Sequence, residues 1–210
     1  MNNFVFDPGL KFADPEKILF AAGLGIGQTL ADLGSGSGFY TMAAGKIVGE
    51  AGLVYSVDIL ETALDHIAAE ARLKGLRNVK TVHADLEQVD SCPVILTGSV
   101  DAVLFSNITH QIKDKMNLFG EAYRILKTGG KLLVVDWNDE PGLIGPPASD
   151  RLPVAEVNKL AASINLKPAG MMPVDIYHYG LVYIKWREDP SDGSERHPRE
   201  GGDLNIWLNN

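Results

Sequence analysis

Three glycines at alternate positions, Gly34, Gly36 and Gly38, separate a short apolar run from an amphipathic one. The run before them, Thr29-Leu30-Ala31-Asp32-Leu33, is bounded by Gly27 and Gly34, which predicts a buried strand. Phe39 to Val48 follows as a predicted helix with small residues, Ala43 and Ala44, inside it. Only glycine lets a main chain pass this close to a ligand and take φ > 0 where the turn needs it. The first turn of the next helix offers free N–H groups. A strand, a glycine turn and a helix in that order predict a nucleotide-type site at the carboxyl end of the first strand.

The rest of the chain repeats this alternation. Further strands are expected at Leu53 to Val57, Val79 to His83, Val100 to Phe105, Lys131 to Val135, and Leu181 to Ile184, the last starting as early as Ile176. Between them, helical spacing joins Ala63, Leu64, Ile67, Ala68 and Ala71, then Met116, Phe119, Tyr123 and Leu126, then Val154, Val157, Leu160, Ala161 and Ile164. Gly75 and Gly129-Gly130 are the expected stops of the first two. Asp14-Pro15-Glu16 reads as an N-cap with proline in the first turn of a helix over about 15 to 22. Repeated strand–helix units imply a doubly wound α/β fold, a mostly parallel sheet with helices on both faces. Residues 1–186 are expected to form one domain, with 1–28 as an N-terminal helix and lead-in. Residues 187–210 form a polar tail. Its apolar end, Leu204, Ile206, Trp207 and Leu208, is a candidate docking element for the body or for a second copy in a homodimer.

Charge and composition narrow the partners. Nineteen basic against 27 acidic residues leave −8, and no run of Lys and Arg offsets it, so nucleic acid is not the expected partner. Apolar runs of about four residues fall far short of a membrane span of roughly 20. The single cysteine, Cys92, excludes an intramolecular disulfide and a multi-cysteine metal site. No histidines stand at i, i+4 spacing, so no metal is expected. The N-terminus lacks a basic start and an apolar core, and the expected location is the cytoplasm.

The glycine spacing also narrows the ligand. Gly34-x-Gly36-x-Gly38 is one residue tighter than the dinucleotide fingerprint, and position 39 is Phe. Gly45-Lys46 and Gly130-Lys131 lack the Ser or Thr of a phosphate loop, and the nucleophile elbow fails because its centre would be Gly36. Asp32 lies two residues before the first glycine, poor company for a pyrophosphate but good company for an ammonium group. Asp58 ends the second strand, where a carboxylate accepts both ribose hydroxyls of a nucleoside. Asp85 follows the third strand, in reach of an adenine amine. Three carboxylates at strand ends suit a cationic nucleoside without phosphate, S-adenosylmethionine.

On these residues the chain resembles the class I S-adenosylmethionine-dependent methyltransferases, over about residues 14 to 186. Asp32-Leu33-Gly34-Ser35-Gly36-Ser37-Gly38, Asp58, Asp85, the strand from Asp101 to Asn107, and Leu126-Lys127-Thr128-Gly129-Gly130-Lys131 match that family's motifs in order. Leu143-Ile144-Gly145-Pro146-Pro147 and Tyr177-His178-Tyr179-Gly180-Leu181 resemble a subgroup related to quinone-biosynthesis and arsenite methyltransferases. The resemblance implies a seven-stranded sheet with an antiparallel last strand. It also implies that Asp32, Gly34, Ser35, Gly36 and Gly38 hold the methionine part of the cofactor. Asp58 would take the ribose, Ile59 would lie against the adenine, Asp85 and Leu86 would meet its edge, and Asn107 would close the floor.

Methyl transfer from a sulfonium is an in-line displacement in which the protein mainly aligns nucleophile and sulfur. A base is needed only for an acceptor that arrives protonated. His110 is either that base or a residue that orders its loop. Asp136 and Trp137 either touch a small-molecule acceptor or seal the sheet edge. Tyr177, His178 and Tyr179 divide between acceptor wall and packing. The loop from Trp137 to Leu152, with three prolines, is a lid or a surface excursion. Alternative functions are a regulatory protein that binds the cofactor without turnover, a transferase using decarboxylated cofactor, and an NAD-dependent oxidoreductase.

Overall fold

In the computed structural model, residues 13–138 and 144–186 are described. The polar tail and its apolar end lie outside them, as does part of the loop after Trp137. Seven strands form one sheet in the order β3-β2-β1-β4-β5-β7-β6. They are β1 (Thr29–Leu33), β2 (Leu53–Asp58), β3 (Val79–His83), β4 (Val100–Ser106), β5 (Leu126–Trp137), β6 (Leu166–Met171) and β7 (His178–Lys185). The first five pair in parallel, and β7 runs antiparallel between β5 and β6. The order reverses at β1 and β4, the place where open α/β sheets leave a crevice beyond their strand ends.

The sheet is covered on both faces. Alternate residues of a strand point to opposite faces. Leu30, Ala102, Leu104, Leu133 and Val135 pack with Ile18 and Leu19 of α1 (Pro15–Ala21) and with Tyr40, Ala43 and Val48 of α2 (Phe39–Val48). Ala31, Leu33, Val103, Phe105 and Val134 pack with Leu118, Phe119 and Ile125 of α4 (Lys115–Ile125) and with Val157 and Ala161 of α5 (Val154–Ser163). Asp32 therefore belongs to the face that α1 and α2 cover. The remaining helix, α3 (Glu61–Leu73), buries Ile67 and Ala71 against Met42. The expected N-cap is present, with Asp14 accepting from the N–H groups of Glu16 and Lys17.

Two elements differ from the sequence reading. α4 stops at Ile125 rather than near Gly129, and the chain turns extended at Leu126. Residues 126–131 then bulge out of register, with Leu126 opposite Val100 and Lys131 opposite Ala102. β6 carries no apolar alternation, because five of its six residues are exposed at the sheet edge. Pro168 is tolerated there because an edge strand need not donate on its outer side. No described helix is long and apolar enough to cross a membrane.

Candidate cofactor and acceptor site

The carboxyl ends of β1 and β4 and the start of antiparallel β7 meet at one edge of the sheet. They enclose a cavity of about 600 Å³ whose walls include Asp32, Gly34, Ser35, Gly36, Phe39, Tyr40, Asn107, Gln111, Asp175 and His178.

The glycine loop forms one wall. Gly34, Gly36 and Gly38 all have φ in the left-handed region, at 79°, 53° and 82°. A side chain on Gly34 would strike Ile108, and one on Gly38 would strike Ile67, each within 3 Å. Gly36 differs, because a Cβ there meets no protein atom within 4 Å. Packing thus dictates the outer two glycines, while the middle one faces open space. Val57 O holds the turn by accepting from the N–H groups of both Gly34 and Ser35.

Asp32 lies under this loop and is 1% exposed. Thr41 of α2 donates its hydroxyl to Oδ2 at 2.6 Å, and Oδ1 has no hydrogen-bond partner. Burial, with the Asp58 charge adding to it, pushes the Asp32 carboxyl up to about 7. A desolvated carboxylate with one free oxygen favours a cationic partner. Nearby, Ser56 donates to the Ser35 hydroxyl at 2.7 Å.

Asp58 ends β2 and accepts from Gly36 N–H through Oδ2 and from Leu60 N–H through Oδ1, at 2.8 and 2.9 Å. Each oxygen keeps a further lone pair. Ile59 is 55% exposed beside it. His83 Nε2 lies 2.9 Å from Ile59 O and Ala84 donates to Asp58 O, which ties the second and third strand ends together. Asp85 stands just past this tie, with its carboxylate accepting from Glu87 N–H and the Gln88 amide. The Leu86 side chain is turned into the core. Asn107 follows β4 with φ of 53°, and its Oδ1 is buried without a partner.

The predicted acceptor residues divide. Asp136 is buried and accepts from the Thr109 N–H and hydroxyl through Oδ2 and from Trp137 N–H through Oδ1. It clamps the 3-10 turn Thr109–Gln111 to β5. His110 Nδ1 lies 4.0 Å from Asp136 Oδ1 and has no hydrogen-bond partner. Trp137 lies against His178, with ring centroids 4.2 Å apart and the planes tilted by 40°, and Gly145 packs so closely behind the indole that a Cβ would stand 2.6 Å from it. Of Trp137, Tyr177 and His178, only His178 is among the cavity's lining residues. Three residues were not singled out from sequence: Thr41, Ile108 and Asp175. Asp175 precedes His178 by three positions and accepts from its backbone N–H, and this local Asx-turn spacing was a usable signal.

A family described as "Methyltransferase domain" matches residues 26–186. The chain belongs to the methyltransferase-domain family. It is 34% identical over 122 residues to the arsenite methyltransferase of Aquipseudomonas alcaligenes, which covers 56% of this chain and 35% of that one. It is 32% identical over 118 residues to the ubiquinone/menaquinone biosynthesis C-methyltransferase of Escherichia coli, covering 56% of this chain and 45% of that one. The match thus spans less than half the length of these two curated relatives. The solved structure of a SAM-dependent methyltransferase from Aquifex aeolicus superposes with a TM-score of 0.76 at 27% identity, over 85% of this chain and 94% of that one. The sheet order, the antiparallel β7 and the glycine loop are those of a class I methyltransferase domain, and its cofactor is S-adenosylmethionine.

Proposed function

We propose that this domain binds S-adenosylmethionine in the cavity beneath the glycine loop and passes its methyl group to a small-molecule acceptor. The observation that carries this reading is Asp32 Oδ1, a buried carboxylate oxygen without a partner on a cavity whose wall is the open side of Gly36. Asp32 and Asn107 would hold the amino-acid end, because both have an unpaired acceptor and an ammonium group has three donors. Gly34, Ser35, Gly36 and Gly38 would shape the wall against it. Asp58 would accept from the ribose hydroxyls, Ile59 would cover the adenine, and Asp85 with the backbone at Leu86 would meet its edge. The bound cofactor supplies a methyl group already activated on a sulfonium. The chain's own task is alignment, worth up to about 7–11 kcal/mol in well-oriented reactions. Asp136 acts as a positioning residue through Thr109, and His110 and Trp137 order the wall behind the acceptor.

The absence of a Lys–Arg run and the charge of −8 support a small acceptor rather than nucleic acid. We place residues 1–186 in one methyltransferase domain working in the cytoplasm; the family match over residues 26–186 supports the domain, and a lone free cysteine accords with a reducing compartment.

Thermal unfolding with S-adenosylhomocysteine, S-adenosylmethionine and NAD in parallel tests the reading. A ligand at 100 times its dissociation constant adds about 2.7 kcal/mol, roughly 5–10 °C at this size. The adenosyl compounds should give that shift and NAD none. A shift with NAD alone would overturn the reading.

A further inference from the structure

We propose that His178, oriented by Asp175, takes the proton that the acceptor gives up, and that the acceptor is a phenol or enol. The inference rests on the cofactor reading above and goes beyond it by assigning a base and an acceptor class.

The pair is built into the cavity wall. His178 Nδ1 lies 2.8 Å from Asp175 Oδ1, and His178 Nε2 is buried with no partner. The same carboxylate accepts from the backbone N–H groups of Tyr177 and His178 through Oδ1 and from Ala13 N–H through Oδ2. Asp175 is thereby fixed from both ends of the described chain. With Asp175 ionised, Nδ1 is the donor, which leaves Nε2 as the acceptor in the neutral ring. The Trp137 indole, backed by Gly145, holds the imidazole plane. The titratable and charged groups around it are Asp175 on its own loop, Asp32 from β1 and Tyr40 from α2 on the shared cavity, and Asp136 and Arg151 around Trp137. His110 has no such support, because its Nδ1 lies 4.0 Å from Asp136 Oδ1, outside hydrogen-bond distance, and has no other partner.

The chemistry balances. The acceptor oxygen or its conjugated carbon forms the bond to the methyl carbon, and the sulfur keeps the electron pair of the broken C–S bond and leaves as a neutral thioether. The acceptor's proton goes to His178 Nε2, the imidazolium faces Asp175, and water takes the proton as product departs. An imidazole nitrogen is a base suited to a weakly acidic hydroxyl, whereas a neutral amine or an ionised thiol attacks without a base. The aromatic side chains of Phe39 and Tyr40 on the same cavity suit a planar acceptor.

Full-length protein and the variants His178→Asn and Asp175→Asn test this. The first readout needs no acceptor: long-range 1H–15N correlation of the imidazole nitrogens with S-adenosylhomocysteine bound. Neutral His178 should carry its proton on Nδ1, and Asp175→Asn should lose that tautomer preference. The second is stabilisation by S-adenosylhomocysteine, which should be equal in all three proteins. The third is methyl transfer to catechol, 4-hydroxybenzoate and acetylacetone, where His178→Asn should lower kcat at least ~100-fold with little change in KM. A neutral ring protonated on Nε2 would overturn the proposal. So would an unchanged kcat, or a folded His178→Asn that no longer binds S-adenosylhomocysteine, which would make His178 a cofactor ligand. A wild-type protein that S-adenosylhomocysteine does not stabilise would overturn the cofactor reading instead.

Discussion

Replacing Asp32 with Asn should make the ligand-free protein more stable at pH 8 and less able to bind its cofactor. The Asp32 carboxyl titrates near 4 in the unfolded chain and at about 7 in the folded one, because burial penalises its charge. Between those values the folded state holds the extra proton, so stability falls as pH rises, by about 1.4 kcal/mol per pH unit. The stability is fully present below pH 4 and is lost by the time pH passes 7, a total of roughly 4 kcal/mol. Asn has no proton to lose. Its amide would stand where Oδ1 is unpaired, at a cost of about 1–3 kcal/mol. The net gain at pH 8 is therefore about 1–3 kcal/mol, and at pH 4.5 the order reverses. Urea unfolding followed by tryptophan fluorescence from pH 4.5 to 8 measures both curves. A constant difference between the two proteins across this range, or a variant less stable at pH 8, would show that folding does not raise the Asp32 carboxyl. The same proton must leave before an ammonium group can pair with Asp32. S-adenosylhomocysteine should thus bind wild type about tenfold more weakly at pH 6 than at pH 8.

Three further outcomes follow from the packing. Gly38→Ala should cost more stability than Gly36→Ala, because its Cβ would lie 2.7 Å from Ile67 while the Gly36 position is open. Both carry about 1–2 kcal/mol of left-handed backbone strain, measurable in urea, and only the first adds a clash. Arg124→Ala should destabilise by about 2–3 kcal/mol in urea unfolding. It strips the guanidinium from Glu121, which is 3% exposed and also holds the Cys92 N–H. Cys92 should resist iodoacetamide in the native protein and react at once in denaturant, since it is fully buried and its thiol is pushed up to about 12 by that burial.

The parts of the fold that were legible in sequence are those governed by local chemistry. β1 and β3 run from Thr29 to Leu33 and from Val79 to His83, as their bounding turns and apolar runs predict. The glycine loop was legible because left-handed backbone at Gly34, Gly36 and Gly38 leaves few other residues possible. β6 was not, since an edge strand with five exposed residues leaves no apolar pattern. The end of α4 was misplaced because Leu126 and Lys127 are compatible with a helix, and pairing of Leu126 with Val100 decides otherwise. At the site, the carboxylates at strand ends could be read from position alone. What could not be read was which groups share them. Thr41 reaches Asp32 only because α2 packs on that face of β1, and Asp136 is drawn to Thr109 by the return of β5 beside β4. The sequence favours His110 as the base, whereas the fold gives His178 the carboxylate at 2.8 Å and leaves His110 4.0 Å from Asp136.

The cavity beneath Gly36 is proposed as the cofactor site. The most direct measurement is a crystal structure of the protein grown with S-adenosylhomocysteine. Density should begin in that cavity, whose lining does not include Asp58 or Ile59, with the amino group at Asp32, and run out past Gly36 to the ribose at Asp58 and the adenine beside Ile59. Ordered ligand elsewhere on the molecule, with this cavity holding only solvent, would contradict it.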